Sequence, residues 1–251
     1  MSAARFTGKV AFVTGAASGM GRATSVRLAS EGASVYGVDV NEEGLAETAK
    51  LVSEAGGKIE TALCNVGDPA ACAAGIEAAV AAFGRLDVLC NIAGIAPMHH
   101  MRDVTPEIWE RVMSINLAGP FFLAQAALPH LLASEGNIVN ISSNAGVMGQ
   151  AYTVPYCASK GGVVNMTRAM AMEFAKEKIR INCVCPGGTK TGISSGIQFP
   201  ENADFKLVQG YICLREMAEP EDIASVIAFI ASDDDSWLFP SANSAFPDAQ
   251  E

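Results

Sequence analysis

The chain has 251 residues, half of them hydrophobic, and a formal net charge of -10 at pH 7. That size fits one large α/β domain with a sizeable core, and the acidic balance argues against a nucleic-acid partner, because phosphate backbones are bound by basic surfaces. The seven cysteines form no CxxC pair and fall mostly in apolar runs, which predicts buried, reduced thiols. With no signal-peptide-like start and no apolar run of about 18 residues, we expect a cytoplasmic protein without a membrane partner.

Short apolar runs alternate with helix-like stretches along most of the chain. This regular alternation predicts a single-domain α/β protein over 1–251, a doubly wound Rossmann fold whose parallel sheet has helices on both faces. The Gly119-Pro120 pair is a candidate break in the fourth predicted helix. The predicted strands are 10–14, 34–38, 59–64, 86–91, 137–141 and 180–184, and the predicted helices are 22–31, 42–55, 69–83, 106–132, a helix containing Tyr156 that ends near 176, and 219–231.

A glycine-rich turn follows the first predicted strand. Gly15, Gly19 and Gly21 permit a tight turn and close approach of a ligand, and the next helix start offers free N–H groups to a pyrophosphate. Asp39 ends the second strand, 18 residues after Gly21. A carboxylate there accepts hydrogen bonds from ribose hydroxyls and repels a 2′-phosphate. Together these features predict a dinucleotide site that prefers NAD to NADP, although Asp39 alone is equally described as a solvated strand end.

Small or polar residues follow directly after several predicted strands. Ligands of doubly wound sheets bind beyond the carboxyl ends of the strands, so residues placed there are expected to meet along one edge. The residues concerned are Gly15, Asp39, Gly94, Ser143 and Gly187.

Tyr156 and Lys160 are four residues apart on a predicted helix and therefore share one face. A phenol has a pKa of about 10, and a nearby ammonium favours the phenolate, so the pair predicts a tyrosine that exchanges a proton near pH 7. Ser143, on the loop after strand 137–141, is placed to hydrogen-bond the same substrate oxygen. Taken alone, the spacing also describes an ordinary solvated helix pair.

In their order and spacing, these motifs resemble the short-chain dehydrogenase/reductase family over nearly the whole chain. The cofactor turn TGxxxGxG is matched from Thr14 to Gly21, and the NxAG segment from Asn91 to Gly94. Ser143, 13 residues before Tyr156, and Lys160 resemble the family's active site. The stretch expected over the nicotinamide is matched by Pro186, Gly187 and Thr191. The resemblance implies a mainly parallel seven-stranded sheet and a homotetramer or homodimer.

The resemblance also implies a role for each matched residue. Tyr156 would be the general acid and base, Ser143 would hold the substrate oxygen and stabilise its developing charge, and Lys160 would bind the nicotinamide ribose and lower the pKa of the tyrosine. Asn116 would anchor a water chain from Lys160 to solvent; its alternative is a helix asparagine that bonds backbone. The implied cofactor contacts are Gly15, Ser18, Gly19, Met20, Gly21, Asp39, Asn65, Val66, Asn91, Ala93, Gly94, Tyr156, Lys160, Pro186, Gly187, Thr189 and Thr191.

Parts of the sequence depart from the family's pattern. Asn65 stands where the family usually has an aspartate against the adenine. The tail 236–251 is atypical, since it lacks the usual Thr-Gly and Asp-Gly-Gly, and Pro240 and Pro247 oppose a central strand. We therefore expect a short or absent last strand, which puts one edge of the sheet and one contact between subunits in doubt.

Two further stretches bear on the ligands. Segment 192–217 is rich in glycine and serine before Pro200 and predicts a mobile substrate lid, whose apolar residues indicate a hydrophobic substrate or simply pack the lid itself. His99 and His100 are adjacent, so they face different directions on most backbones. Because no third ligand is evident, no metal is expected.

The predicted function is hydride transfer between NAD(H) and a small secondary alcohol or ketone. One alternative is a 3-oxoacyl-thioester reductase that uses NADPH, against which Asp39 argues because Val40 follows it and no arginine is adjacent. The other is a catalytically silent dinucleotide-binding sensor or scaffold. A complete set of Asn116, Ser143, Tyr156 and Lys160 argues against that alternative.

Overall fold

The computed structural model describes residues 4–211 and 216–235. Its sheet has six strands in the order β3-β2-β1-β4-β5-β6, and every pairing is parallel. The strands are β1 Val10–Thr14, β2 Ser34–Asp39, β3 Lys58–Leu63, β4 Val88–Asn91, β5 Asn137–Ile141 and β6 Arg180–Val184. This confirms the predicted Rossmann arrangement with one strand fewer than the predicted seven; the doubtful last strand falls on 236–251, outside the described residues.

Helices connect successive strands, and several of them begin at conventional capping residues. The side chain of Asp68 accepts from the Ala70 N–H and is followed by Pro69, while Thr105 accepts from the Ile108 N–H, so each cap satisfies a donor that the first turn leaves free. The helices are α1 Gly19–Ser30, α2 Glu42–Glu54, α3 Pro69–Phe83, α4 Pro106–Met113, α5 Gly119–Ser134, α6 Val154–Glu173, α7 Gly192–Ser195, α8 Phe205–Gln209 and α9 Pro220–Ala231.

Helices α4 and α5 are continuous through a π-helical stretch, Ser114–Ala118. The predicted break at Gly119-Pro120 is therefore wrong: the irregularity lies one turn earlier and the chain stays helical. The cause is Pro120, which has no N–H to offer the carbonyl four residues before it, that of Asn116. By length and composition this is the one helix of the described residues that could cross a membrane, but Leu123 and Leu131 are buried against the sheet.

Apolar side chains cover both faces of the sheet. All five residues of β1 are buried, and alternate side chains point to opposite faces. Phe12 belongs to a cluster completed by α3, α5 and α6, whereas Val13 belongs to one completed by α1, α2 and α9. Burying such a side chain contributes about 1.5–3 kcal/mol. The two layers hold the strand ends, and the loops that follow them, in fixed positions.

Candidate active site

Two cavities open at the carboxyl edge of the sheet. The first, of about 280 Å³, follows the glycine-rich turn between β1 and α1. The second, of about 310 Å³, lies between the loop after β5, the start of α6 and segment 192–217. Met20, Thr191 and Ile193 line both cavities, so the two spaces share a wall made from α1 and the stretch after β6.

The first cavity contains most of the predicted cofactor residues. Those lining it are Gly15, Ser18, Gly19, Met20, Gly21, Asp39, Asn65, Val66, Ala93, Gly94 and Thr191. Pro186, Gly187, Thr189 and Tyr156 line the second cavity instead. Asn91 and Lys160 are buried and line neither cavity. The predicted cofactor residues are thus divided between the first cavity, the second cavity and the buried layer behind both.

Glycines make the turn compact enough to hold a flat, elongated ligand. A Cβ at Gly21 would lie 2.0 Å from the carbonyl oxygen of Gly15, and Gly15 itself has φ +70° with Ala93 only 3.1 Å from its Cβ position. Thr14 Oγ1 accepts from the Ile92 and Ala93 N–H groups at 2.9 and 3.0 Å, which ties the loop after β4 to β1. The start of α1 at Gly19 therefore faces a narrow, backbone-lined space suited to a pyrophosphate.

The carboxylate of Asp39 is held beside this turn. One oxygen accepts from the Ala17 N–H at 3.2 Å, and the other accepts from the Val40 and Asn41 N–H groups at 2.7 and 3.1 Å. Val40, the next residue, is 70% exposed and offers no positive charge to a 2′-phosphate. The cleft thus ends in a fixed acceptor suited to ribose hydroxyls.

Tyr156 and Ser143 line the second cavity together. Burial raises the pKa of the Tyr156 phenol, and the neighbouring Ser143 hydroxyl, which lowers it, offsets only part of that rise. The expected depression of this pKa by Lys160 is therefore wrong for the free protein, because the loss of water around the phenol decides the direction and Lys160 is not among the groups that lower the pKa. At neutral pH the phenol keeps its proton.

Lys160 lies behind Tyr156, 4% exposed, with Nζ 5.9 Å from the centre of the phenol ring. Its ammonium donates to the Ile141 carbonyl oxygen at 2.8 Å. Burial nevertheless lowers the pKa of Lys160 to about 8, because one carbonyl replaces only part of the lost hydration. The lysine is still charged at pH 7, and it takes up or releases a proton just above that pH.

Asn116 is fully buried and its side chain is saturated with hydrogen bonds. Oδ1 accepts from the Ile95 N–H at 2.9 Å, and Nδ2 donates to the Ile95 carbonyl at 2.8 Å and to Ser159 Oγ at 3.1 Å. These bonds agree with the alternative role of Asn116, that of a helix asparagine whose side chain hydrogen-bonds the backbone. They also hold the loop after Gly94 against α6. The predicted water chain from Lys160 to solvent stays a prediction.

Comparison with known proteins identifies the family. The sequence profile described as short chain dehydrogenase matches residues 9–201. The chain is 40% identical over 235 residues to the cis-4-hydroxycyclohexanecarboxylate dehydrogenase of Sinomonas cyclohexanicum, covering 93% of each chain. It is 37% identical to the 3-oxoacyl-acyl-carrier-protein reductase of Thermotoga maritima, over 93% of this chain and 94% of that one. This protein is a short-chain dehydrogenase/reductase.

A solved member of the family has the same fold. The short chain dehydrogenase from Mycobacterium paratuberculosis, bound to NAD, has a TM-score of 0.86 and 32% identity, over 95% of this chain and 96% of that one. The general activity of this short-chain dehydrogenase/reductase is therefore oxidoreduction, which agrees with the presence of a phenol and a hydroxyl beside the cleft.

Sequence reasoning missed several residues that line the two cavities of this dehydrogenase. Arg111, on α4, contributes a guanidinium to the first cavity. Asn144 and Gln150 line the second, where Asn144 Oδ1 accepts from Ser143 Oγ at 3.0 Å and from Gln150 Nε2 at 3.1 Å. The polar composition of the loop between β5 and α6 was the one available signal for the amides. Arg111 carried none, because an exposed helix arginine is common.

Among the described residues, no group of three or more His, Cys, Asp or Glu side chains is arranged to hold a metal ion. His99 lines a small cavity beside Arg111 and Ile108, and His100 Nε2 is hydrogen-bonded to the Glu201 carbonyl at 2.8 Å. The two adjacent histidines thus have different surroundings, and neither meets a carboxylate or thiolate partner there.

Proposed function

We propose that this protein transfers a hydride between NAD(H) and an uncharged secondary alcohol or ketone. The observation that carries the proposal is the shared wall of the two cavities: Tyr156 and Ser143 line a space that borders the dinucleotide cleft along Met20, Thr191 and Ile193. A nicotinamide cofactor, when bound, supplies or accepts the hydride. The protein's part is to hold the reacting groups and to move the proton.

The residues present fit such a cofactor. Gly21 and Gly15 let the turn pack against its own backbone and against Ala93, which leaves the start of α1 facing the cleft, and the carboxylate of Asp39 is fixed at the far end. Gly94, which lines the cleft, lets the loop after β4 pack closely on Asn116 and Lys160, since a Cβ there would lie 3.2 Å from Asn116 Oδ1 and 3.5 Å from Lys160 Nζ. These positions support NAD rather than NADP, because the carboxylate would repel a 2′-phosphate.

Tyr156 and Ser143 would handle the proton. In reduction, the phenol donates its proton to the carbonyl oxygen of the substrate while the Ser143 hydroxyl donates a hydrogen bond to the same oxygen. In oxidation, the proton of the alcohol returns to the phenolate. The raised pKa of Tyr156 keeps the phenol protonated and suits the acid role, and Lys160, with its pKa near 8, is charged when the phenolate forms.

The lining of the second cavity supports an uncharged, largely apolar substrate. Its described residues include no Asp, Glu, Lys or Arg, so a carboxylate or ammonium would be desolvated there without a partner. The apolar surface comes from Met98, Ile193, Ile197, Tyr211 and Met217. The amides of Asn144 and Gln150 are the polar groups available to orient the substrate.

A thioester reductase is the second candidate, favoured by the likeness to the 3-oxoacyl-acyl-carrier-protein reductase. That alternative is expected to use NADPH, and the carboxylate of Asp39 argues against it because it would repel a 2′-phosphate.

The predicted homo-oligomer stays a prediction. Trp109 and Phe121 on the α4–α5 helix are each 41% exposed, and Met172 on α6 is 75% exposed, which supports apolar faces available to a second copy.

The deciding experiment is Tyr156→Phe, assayed with a panel of secondary alcohols and NAD⁺ by the absorbance of NADH. We expect turnover to fall by a factor of roughly 10²–10⁴, the usual contribution of a positioned acid or base, while the dissociation constant for NADH, from a fluorescence titration, stays within twofold. The matched control is Tyr36→Phe, which removes a hydroxyl from β2. Full activity of Tyr156→Phe rejects the mechanism, and no activity of the wild type with any alcohol supports the silent sensor.

A further inference from the structure

Side chains of Tyr152 and His100 tie segment 192–211 of the predicted lid to the body of the protein. Tyr152 Oη accepts from the Asp204 N–H at 2.6 Å, and His100 Nε2 hydrogen-bonds the Glu201 carbonyl at 2.8 Å. The ring of His100 also meets the Tyr152 ring edge-on, with centroids 5.1 Å apart. The side chains of His100 and Tyr152 thus both hydrogen-bond the lid backbone between Glu201 and Asp204.

Tyr152 adopts a backbone conformation that a tyrosine rarely adopts. Its φ is +67°, in the left-handed region where a side chain is strained, and such strain persists only where the surrounding contacts determine the conformation. One of those contacts is visible: the Tyr152 carbonyl accepts from the His99 N–H at 2.8 Å. In this conformation the phenol of Tyr152 reaches the lid, where its oxygen accepts the hydrogen bond from the Asp204 N–H.

The lid is also joined to the fold through Tyr211, whose Oη donates to the Ala151 carbonyl at 3.0 Å, and at its base. A parallel bridge pairs Thr189 with Ala218, with Lys190 N–H donating to the Ala218 carbonyl at 2.9 Å. Between those ends, the lid contributes Ile193, Ile197 and Tyr211 to the wall of the substrate cavity. Any change in the angle of the lid therefore changes the volume and shape of that cavity.

We propose that Tyr152 and His100 form a latch that holds the lid over the substrate cavity, and that Tyr152 is a positioning residue for substrate binding. The kinetic part of this inference rests on the proposed function, whereas the structural part does not. The latch acts through the lid, since Tyr152 does not itself line the cavity. Opening it breaks the hydrogen bond to Asp204 and the bond to Glu201, whereas the ring contact joins two residues of the body and holds them side by side.

Hydrogen exchange tests the latch without any assay of activity. The Asp204 N–H precedes α8 and falls outside its intrahelical bonding pattern, so its protection reports the bond to Tyr152. In Tyr152→Phe, which keeps the ring and loses the acceptor, we expect exchange at Asp204 to rise about threefold to tenfold, the range that corresponds to one hydrogen bond of ordinary net strength. Tyr36→Phe, the matched control, should leave that rate unchanged.

His100→Phe provides a second, independent perturbation. It keeps an aromatic ring against Tyr152 and removes the donor to the Glu201 carbonyl, so exchange at Asp204 should again rise although the Tyr152 bond itself is intact. In the double variant the two effects should be coupled rather than additive, because both bonds close one element. Unchanged exchange at Asp204 in both single variants overturns the latch, whatever the activity of the protein.

Kinetics then test what the latch does. For an alcohol oxidised by the wild type, Tyr152→Phe should raise KM about threefold to tenfold and leave kcat unchanged or higher, because the lid opens more readily but the proton-transfer groups are untouched. A fall in kcat with unchanged KM would overturn the positioning role. If the exchange result holds and no alcohol is oxidised by any variant, then the latch stands and the proposed function fails.

Discussion

Replacing Lys160 with methionine is expected to stabilise the free protein while abolishing its activity. Lys160 is 4% exposed, and burial lowers its pKa from 10.5 to about 8. At 1.36 kcal/mol per pKa unit, keeping the ammonium charged in the fold at pH 7 costs about 3 kcal/mol. Methionine fills a similar volume without a charge but loses the hydrogen bond to the Ile141 carbonyl, worth about 1 kcal/mol. The expected net gain is about 2 kcal/mol.

The gain should also depend on pH in a fixed direction. Below pH 8 the lysine is protonated in both states, so the whole cost is present. Between about 8 and 10.5 the folded protein has released the proton that the unfolded chain still binds, so the stability of the wild type rises with pH. The advantage of Lys160→Met should therefore be largest at pH 7, shrink through that window, and be gone above it.

Urea unfolding followed by far-UV circular dichroism, at one protein concentration, measures the difference. A gain of about 2 kcal/mol corresponds to a rise in Tm of roughly 4–8 °C for a chain of this length. Lys176→Met makes the same change of charge at an exposed position after α6 and should shift stability little. The reasoning is refuted if Lys160→Met is no more stable than the wild type at pH 7, or if its advantage is as large at pH 10 as at pH 7.

Two other predictions follow from the same groups and from Asp39. Asp39→Ser removes the fixed carboxylate at the end of the cleft, so kcat/KM should shift towards NADPH by roughly tenfold or more relative to NADH; an unchanged ratio would contradict the assignment of that residue. The rate of alcohol oxidation should rise with pH and level off above an apparent pKa near 8, because the Tyr156–Lys160 pair loses its first proton near the pKa of the lysine, about 8, and the phenolate–ammonium form of the pair that remains accepts the proton of the alcohol; a flat profile of kcat from pH 6 to 10 would count against it.

The elements nearest the site were predictable because their signals are local. The strands 10–14, 137–141 and 180–184 and the helix 69–83 are found at the predicted bounds. The strands are short, mainly apolar segments followed at once by small or polar residues, and the helix lies between the capping residues Asp68 and Gly84. Helix α1 begins at Gly19 rather than at the predicted 22. Gly19 and Gly21 belong both to the glycine-rich loop and to the first turn of α1, so the sequence alone does not show at which glycine the helix begins.

What the sequence did not reveal depends on contacts between distant segments. The pKa of Tyr156 follows from how many neighbours exclude water, and that number is a property of the folded loop and lid rather than of the spacing to Lys160. The bond between Tyr152 and Asp204 joins residues 52 positions apart, with no local pattern to announce it. Pro120 did carry a signal, but its consequence is a wider turn rather than the predicted break.

Burial of the two titrating groups links stability to chemistry. Withdrawing Tyr156 from water raises the pKa of an acid, and withdrawing Lys160 lowers the pKa of a base, so both groups are driven towards their neutral forms. Burial takes the pKa of the lysine to about 8, close to physiological pH, while the phenol remains protonated. A more exposed pair would cost less stability, but its charges would be screened by water and its proton exchange would no longer be confined to the substrate oxygen. The destabilising burial of Lys160 and the proton-transfer capacity of this site therefore have one physical origin, and a substitution that relieves the first necessarily removes the second.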